Sequence, residues 1–388
     1  MNRRSLGREV MALFVLVPVV TTAYLVGCST GEADPDPVVK DAGPALSADA
    51  EADADDAADA AEAGPCTDCE FYPAECGEGL FCTVSAPLKT GARLRSIAGT
   101  SASSVWAVGT KGTVLHFDGA SWQEAALGVL DTFSSVIALS PEEAWTASTF
   151  RSVYVHMPAG DGGAEGWQPL STTEVGGGWP FYQGVVAGAY PTGGPAWFAV
   201  QDSRRSVALT RAQRTEDGIE TTLIASVPVL SSVLAIHAVS KDEVWAVGGV
   251  GRAIRVSDGS GDAPVLQSFN TQTLATLHGV WASGSDDVWA VGSEGTVRRF
   301  RGSGVLFDSA PDVPTDVTLR AITGTAPDDV WAVGDGAVVL HFDGVKWTRI
   351  AIAGLGARRP DLHAVFCAER GRVWVAGDGV LLSLGKTI

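Results

Sequence analysis

The sequence predicts an all-β chain folded as a seven-bladed β-propeller, with an N-terminal strand closing the last blade. Three observations carry this. A four-residue phrase reading bulky apolar, polar, small, β-branched occurs seven times. The copies are Leu94-Arg95-Ser96-Ile97, Phe133-Ser134-Ser135-Val136, Tyr182-Gln183-Gly184-Val185, Ile236-His237-Ala238-Val239, Leu277-His278-Gly279-Val280, Leu319-Arg320-Ala321-Ile322 and Leu362-His363-Ala364-Val365. Each copy is followed by a tryptophan (Trp106, Trp145, Trp197, Trp245, Trp289, Trp331, Trp374), and the tryptophan-to-tryptophan steps are 39, 52, 48, 44, 42 and 43 residues. A period near that length, with several strand-like runs per unit, marks propeller blades. Finally, the seventh unit ends without a fourth strand, while Phe81-Cys82-Thr83-Val84-Ser85-Ala86 stands before Leu94 as Trp347-Thr348-Arg349-Ile350 stands before Leu362. The N-terminal run should therefore complete blade seven and remove an open strand edge.

Taken in chain order, residues 1–27 read as a signal peptide. Arg3, Arg4 and Arg8 make a basic n-region, and Val10 to Val20 an apolar run too short to span a bilayer. Leu25-Val26-Gly27-Cys28 resembles the lipobox of bacterial lipoproteins. The resemblance implies cleavage before Cys28 and lipid chains on its thiol and new amine, which together anchor stably where one chain is marginal. Ser29 follows the cysteine in place of Asp. By resemblance to Gram-negative sorting, that implies an outer-membrane lipoprotein, facing the periplasm or the cell surface.

Residues 28–65 are the lipidated cysteine and an acidic, disordered tether. Positions 29–65 hold eleven Asp or Glu, one Lys and no aromatic residue. Such a segment cannot bury enough apolar surface to offset its ordering entropy. The whole chain carries −18 at pH 7. This excess, with no basic run, argues against nucleic acid or an anionic lipid surface as partner.

Residues 66–90 are a cysteine-rich segment and the closing strand. Cys66, Cys69, Cys76 and Cys82 are spaced C-x2-C-x6-C-x5-C. Zinc is one reading. Behind an export signal, two disulfides are the expected one, and four cysteines allow three pairings. Cys367 falls where other repeats carry a small residue, and reads as a buried, inert thiol.

Residues 91–388 are the propeller itself. Each blade opens with an inner strand, and a polar loop leads to Val-Trp-Ala-Val-Gly, as at Val105–Gly109 and Val330–Gly334. A Gly-flanked turn reverses the chain into a third strand such as Val338-Val-Leu-His-Phe-Asp-Gly344. A fourth strand opens at Trp122 or Trp347. His116 and His341 recur at one place in this third strand and read as packing residues. Blades two and three lack the Val-Gly ending and have longer connections. Long loops on a rigid scaffold often carry specificity.

The Val-Trp-Ala-Val-Gly … Gly-Thr-Val … Phe-Asp-Gly-x-x-Trp blade resembles the secreted bacterial propellers of the BNR-repeat and sialidase-like superfamily, and the photosystem assembly propellers within it. The resemblance covers about 94–386 and implies the fold. The Asp-box Ser-x-Asp-x-Gly-x-x-Trp is absent as such, Phe117-Asp118-Gly119-Ala120-Ser121-Trp122 being only similar. No arginine triad with a paired tyrosine accompanies it, so that family's catalytic residues do not carry over. A WD40 match is poorer, because no Trp-Asp dipeptide occurs.

No nucleophile elbow, HExxH, P-loop or dinucleotide fingerprint is present. Asp258-Gly259-Ser260-Gly261-Asp262 begins like a calcium loop, but Phe269 stands where a bidentate Glu is needed. No metal, cofactor or catalytic residue is expected. One constellation points to binding. The second position of the repeated phrase is Arg95, Ser134, Gln183, His237, His278, Arg320 and His363 around the ring. Inner strands line a propeller's channel, so these side chains should meet at one height and could hold an anion, more tightly once histidine protonates. The expected protein is thus a monomeric, membrane-anchored, non-enzymatic scaffold that binds an envelope protein or glycan, with anionic ligands among the candidates. The rival is a glycan hydrolase or lyase using the loop carboxylates Glu142, Glu143, Asp242, Glu243, Asp286, Asp287, Asp328 and Asp329.

Overall fold

The computed structural model describes residues 68–385, apart from 126, 150–152, 158–165, 170–171, 175–184, 192, 202–206, 216–217 and 228–232. The chain divides into two units, Met1–Glu62 and Ala63–Ile388, and every described residue belongs to the second. Cys28, Cys66, Gln183, the signal segment and the tether lie outside the described residues.

The second unit is built of seven antiparallel sheets. Their inner strands are Leu94–Ser101, Phe133–Ala138, Val185–Ala189, Val233–Ser240, Leu277–Gly284, Leu319–Ala326 and Leu362–Glu369. Each inner strand packs beside those of its two neighbours, and the seventh returns to the first. The seven sheets therefore close into a propeller around a central channel. Within a blade the strands follow chain order from the inside out, as in blade six with Leu319–Ala326, Asp329–Gly334, Val338–Phe342 and Trp347–Arg349. Two blades gain a short parallel fifth strand: Thr172–Glu174 in blade three and Ile352–Ala353 in blade seven.

The second strand explains the repeated Val-Trp-Ala-Val-Gly. It sits mid-sheet with a blade on either side, so both faces are covered. All six residues of Ser104–Gly109 and of Asp329–Gly334 are buried. A short continuous apolar run is how such a strand reads in sequence. The terminal glycine is steric. A Cβ on Gly109 would come within 2.0 Å of the Arg93 carbonyl oxygen, and one on Gly334 within 2.2 Å of that of Thr318.

The tryptophan in this strand locks each blade to the next. Trp289 of blade five packs on Phe342 and Trp347 of blade six, at 4.9 and 5.4 Å between ring centres. Trp374 of blade seven meets Phe117 and Trp122 of blade one at 4.8 and 5.2 Å. Such aromatic pairs contribute about 0.5–1.5 kcal/mol each beyond the area they bury.

The N-terminal strand closes blade seven as expected. Phe81–Thr83 pairs antiparallel with Val380–Leu384, Phe81 opposite Leu384. Phe81 is fully buried and meets Trp331 of blade six edge-on at 5.6 Å. It thus does for Trp331 what Trp347 does for Trp289. Cys76 is joined to Cys82, with Cα atoms 5.6 Å apart. Cys367 is buried, and burial followed by nearby Asp329 pushes its thiol up to about 12. A thiol so rarely ionised is a packing residue.

Candidate functional site

All seven inner strands share one irregularity. In blade one Leu94 faces Gly109 and Ser96 faces Val108, so Arg95 is skipped by the pairing. The same skip falls on Ser134, Val186, Leu234, His278, Arg320 and His363. A bulge bends the strand and re-aims its unpaired side chain. Repeated at one height in seven blades, it turns seven side chains into the channel. All seven line one cavity of about 410 Å³ at the channel mouth, with Thr132, Thr149 and Val185 beside them.

This ring corrects the sequence reading in two blades. Gln183 lies outside the described residues, and blade three contributes Val186 at the bulge. His237 is described but is not in the ring; blade four contributes Leu234, three residues earlier. The requirement for a polar second residue picked an earlier run in blade three and a later one in blade four. A constant spacing would have found the right one. Leu94, Phe133, Val185, Val233, Leu277, Leu319 and Leu362 each stand twelve residues before their tryptophan. His237 instead packs into the wall beside blade five, its ring 6.4 Å from Trp281. Burial pushes its pKa down to about 4, against a weaker opposing pull from a hydrogen bond to the Ala282 backbone.

The true ring is divided. Blades five, six, seven, one and two supply His278, Arg320, His363, Arg95 and Ser134, a continuous polar arc. Blades three and four supply Val186 and Leu234, an apolar sector. Fifteen residues further on, at the turn after each second strand, a second tier partners the arc. Arg320 makes a two-pronged ion pair with Asp335, its Nη2 3.1 Å from Oδ2. His363 Nε2 lies 2.7 Å from Asp378 Oδ1, and His278 Nε2 lies 3.2 Å from the Ser293 hydroxyl. Ser134 donates to the Val185 carbonyl. Burial and the adjacent Arg320 hold His278 below the ordinary histidine range. Arg95 differs from the others: it is exposed in the cavity, and no carboxylate pairs with it among the described residues.

The loop carboxylates do different work. Glu143, Glu243 and Asp329 each accept the indole N–H of the tryptophan two residues on, at 2.9, 2.8 and 3.0 Å. Asp287 accepts instead from Arg299 Nε at 2.6 Å. These residues close the end of the blade opposite the mouth. Asp258 to Asp262 is likewise a closed turn: Ser260 donates to Asp242, and Arg211 donates to the Gly259 and Gly261 carbonyls. Among the described residues no group of three or more His, Cys, Asp or Glu is placed to hold a metal ion.

No family model matches this chain, and no curated protein matches it. The likeness to BNR-repeat propellers therefore rests on the blade motif alone. Solved propellers do match. YCF48 from Cyanidioschyzon merolae is 17% identical, with a TM-score of 0.58 over 79% of this chain and 99% of its own. The WD40 β-propeller domain of Doa1 is 11% identical, with a TM-score of 0.59 over 80% of this chain and 96% of its own. A structure described as YCF48 bound to D1 peptide aligns at a TM-score of 0.42 and 14% identity, over 81% of this chain and 99% of its own. The first two likenesses establish the propeller fold, and the third is too loose to carry an argument.

Proposed function

We propose that this protein is a non-catalytic binding propeller that takes an acidic segment of another envelope protein at its channel mouth. The observation that carries this is the divided ring: an exposed Arg95 with no carboxylate partner among the described residues, set in a cavity of about 410 Å³ beside Arg320 and two histidines. The second tier already balances Arg320 and His363. Arg95 is the charge left to meet a ligand carboxylate, while Val186 and Leu234 offer an apolar side chain a dry wall. A small anion would leave that wall unused, which favours a peptide. Four of the eight carboxylates of the hydrolase reading, Glu143, Glu243, Asp287 and Asp329, serve the blade tryptophans and their stacked partners, which favours binding over hydrolysis.

On the same reading Cys28 carries the lipid anchor in the outer membrane, the acidic segment to residue 65 is the tether, and disulfides within Cys66 to Cys82 staple the seam. The Cys76–Cys82 link supports the last of these. Titration calorimetry on the full chain, with acidic peptides, their neutral amide analogues and acidic oligosaccharides, tests the reading. Arg95→Ala should weaken acidic-peptide binding by at least tenfold, since a charge-assisted hydrogen bond contributes about 1.5–3 kcal/mol. Equal binding by the variant, or capture of only the oligosaccharides, would refute it. Membrane partitioning of a Cys28→Ala protein as complete as wild type would remove the anchor from the account.

A further inference from the structure

The end of the ring opposite the mouth follows a second rule in five blades; blade two fills the position with Val155, and blade seven leaves it open. Across the sheet from each blade's tryptophan stands one residue of the third strand. In five blades it is His or Arg: His116 across from Trp106, Arg211 from Trp197, Arg255 from Trp245, Arg299 from Trp289 and His341 from Trp331. His116 and His341 stack on their tryptophans at 4.0 Å, with planes 21° and 22° apart. The Arg299 guanidinium lies 4.4 Å from the Trp289 ring and 5.6 Å from Phe342 of the next blade. A flat, nitrogen-bearing group in this slot is therefore the protein's own repeated solution. In blade seven the residue across from Trp374 is Ser383. There a pocket of about 370 Å³ opens, lined by Trp374, Phe117 of the next blade, Ser103 and Ser383, with Glu369 and Arg372 at its rim. Trp374 and Phe117 are the counterparts of Trp289 and Phe342, so the pocket occupies the place that Arg299 fills in blade five.

We propose that this seam pocket receives the guanidinium of an arginine side chain from a partner protein. In blade five the stacked arginine is held by Asp287. Blade seven has Arg372 at that step, and its carboxylate sits three residues earlier, at Glu369. Glu369 and Arg372 lie 3.9 Å apart with side chains 66% and 53% exposed, an ion pair of little strength. Glu369 thus stays available to an incoming cation. A guanidinium fits better than an ammonium: it is planar, stacks on aromatic faces and is weakly hydrated, so it tolerates a second guanidinium at the rim. The pocket lies at the opposite end of the ring from Arg95 and does not depend on the mouth.

Saturation-transfer NMR on the full chain with N-acetyl-arginine amide, and with the matching lysine and glutamate amides, tests this. The arginine amide should bind and the other two should not. Glu369→Gln should weaken that binding several-fold. Ser383→Arg should abolish it, because the chain then fills the slot as blade five does. Preference for the glutamate amide would assign the pocket to Arg372 and overturn the proposal, as would equal binding of lysine. Binding that survives both substitutions would place the site elsewhere and overturn it too. If a lowered melting temperature shows that Ser383→Arg disturbs the blade, Glu369→Gln, at an exposed rim position, decides alone.

Discussion

His237 ties the wall of blade four to pH. Its pKa of about 4 in the fold, against about 6.5 in an unfolded chain, means the unfolded state takes up the proton first. The sign follows: His237 leaves stability untouched above about pH 6.5 and erodes it as pH falls from there to about 4. The shift corresponds to a loss on the order of 3 kcal/mol at the acid end. Melting temperature followed from pH 7 to 4 should fall along that window, and His237→Gln should flatten the slope. A variant as acid-sensitive as wild type would show that other groups govern it. Asp329 is the other decisive residue. It is 1% exposed and accepts from the Thr325 hydroxyl, from Trp331 Nε1 at 3.0 Å and from His341 Nε2 at 2.8 Å. Asp329→Ala strands the buried Trp331 indole N–H and unpairs the half-buried His341, and should cost about 1–3 kcal/mol, read by urea unfolding. A loss below about 1 kcal/mol would mean water replaces the carboxylate.

Among the elements, the closing strand is short but deeply packed. Phe81–Thr83 is three residues long, yet Phe81 is fully buried against Trp331. Phe81→Ala should destabilise the ring by about 3–5 kcal/mol, whereas the same change at an exposed Val345 should be near neutral. Equal, small effects would show that the seam is held by backbone pairing alone. This strand was legible in the sequence because its apolar pattern repeats that of the other outer strands. Val-Trp-Ala-Val-Gly was legible for the same reason: a strand covered on both faces admits little else. The bulge was not. It is a matter of register, and Arg95, Val186 and His278 occupy it with unlike chemistry, so no residue type announces it. Only the fixed twelve-residue distance to the tryptophan encodes it, and a search for polar residues overrode that distance at His237. The blade-seven pocket was hidden for a related reason: its signal is a small residue, Ser383, at a position whose importance shows only once Arg299 and His341 are seen on their tryptophans.

At the scale of the whole molecule, seven similar sheets are held by one mechanism, each tryptophan gripped by the following blade. The ring is symmetric in packing and asymmetric in chemistry. One end gathers an arc of polar side chains around the channel, and the other departs from its stacking rule in blade two, where Val155 faces Trp145, and at the seam, where Ser383 leaves a pocket open. Both departures are local substitutions on a shared frame, which is how a repeated fold comes to carry distinct sites. The seam also imposes a timetable on biogenesis. Phe81 pairs with Leu384, roughly three hundred positions later, so at typical synthesis rates of about 5–20 residues per second the first strand waits some tens of seconds for its mate. Throughout that interval an apolar strand lacks the surface it was shaped for, and the nascent chain is at its most vulnerable to mispairing. Only the arrival of Val380–Leu384 ends that exposure.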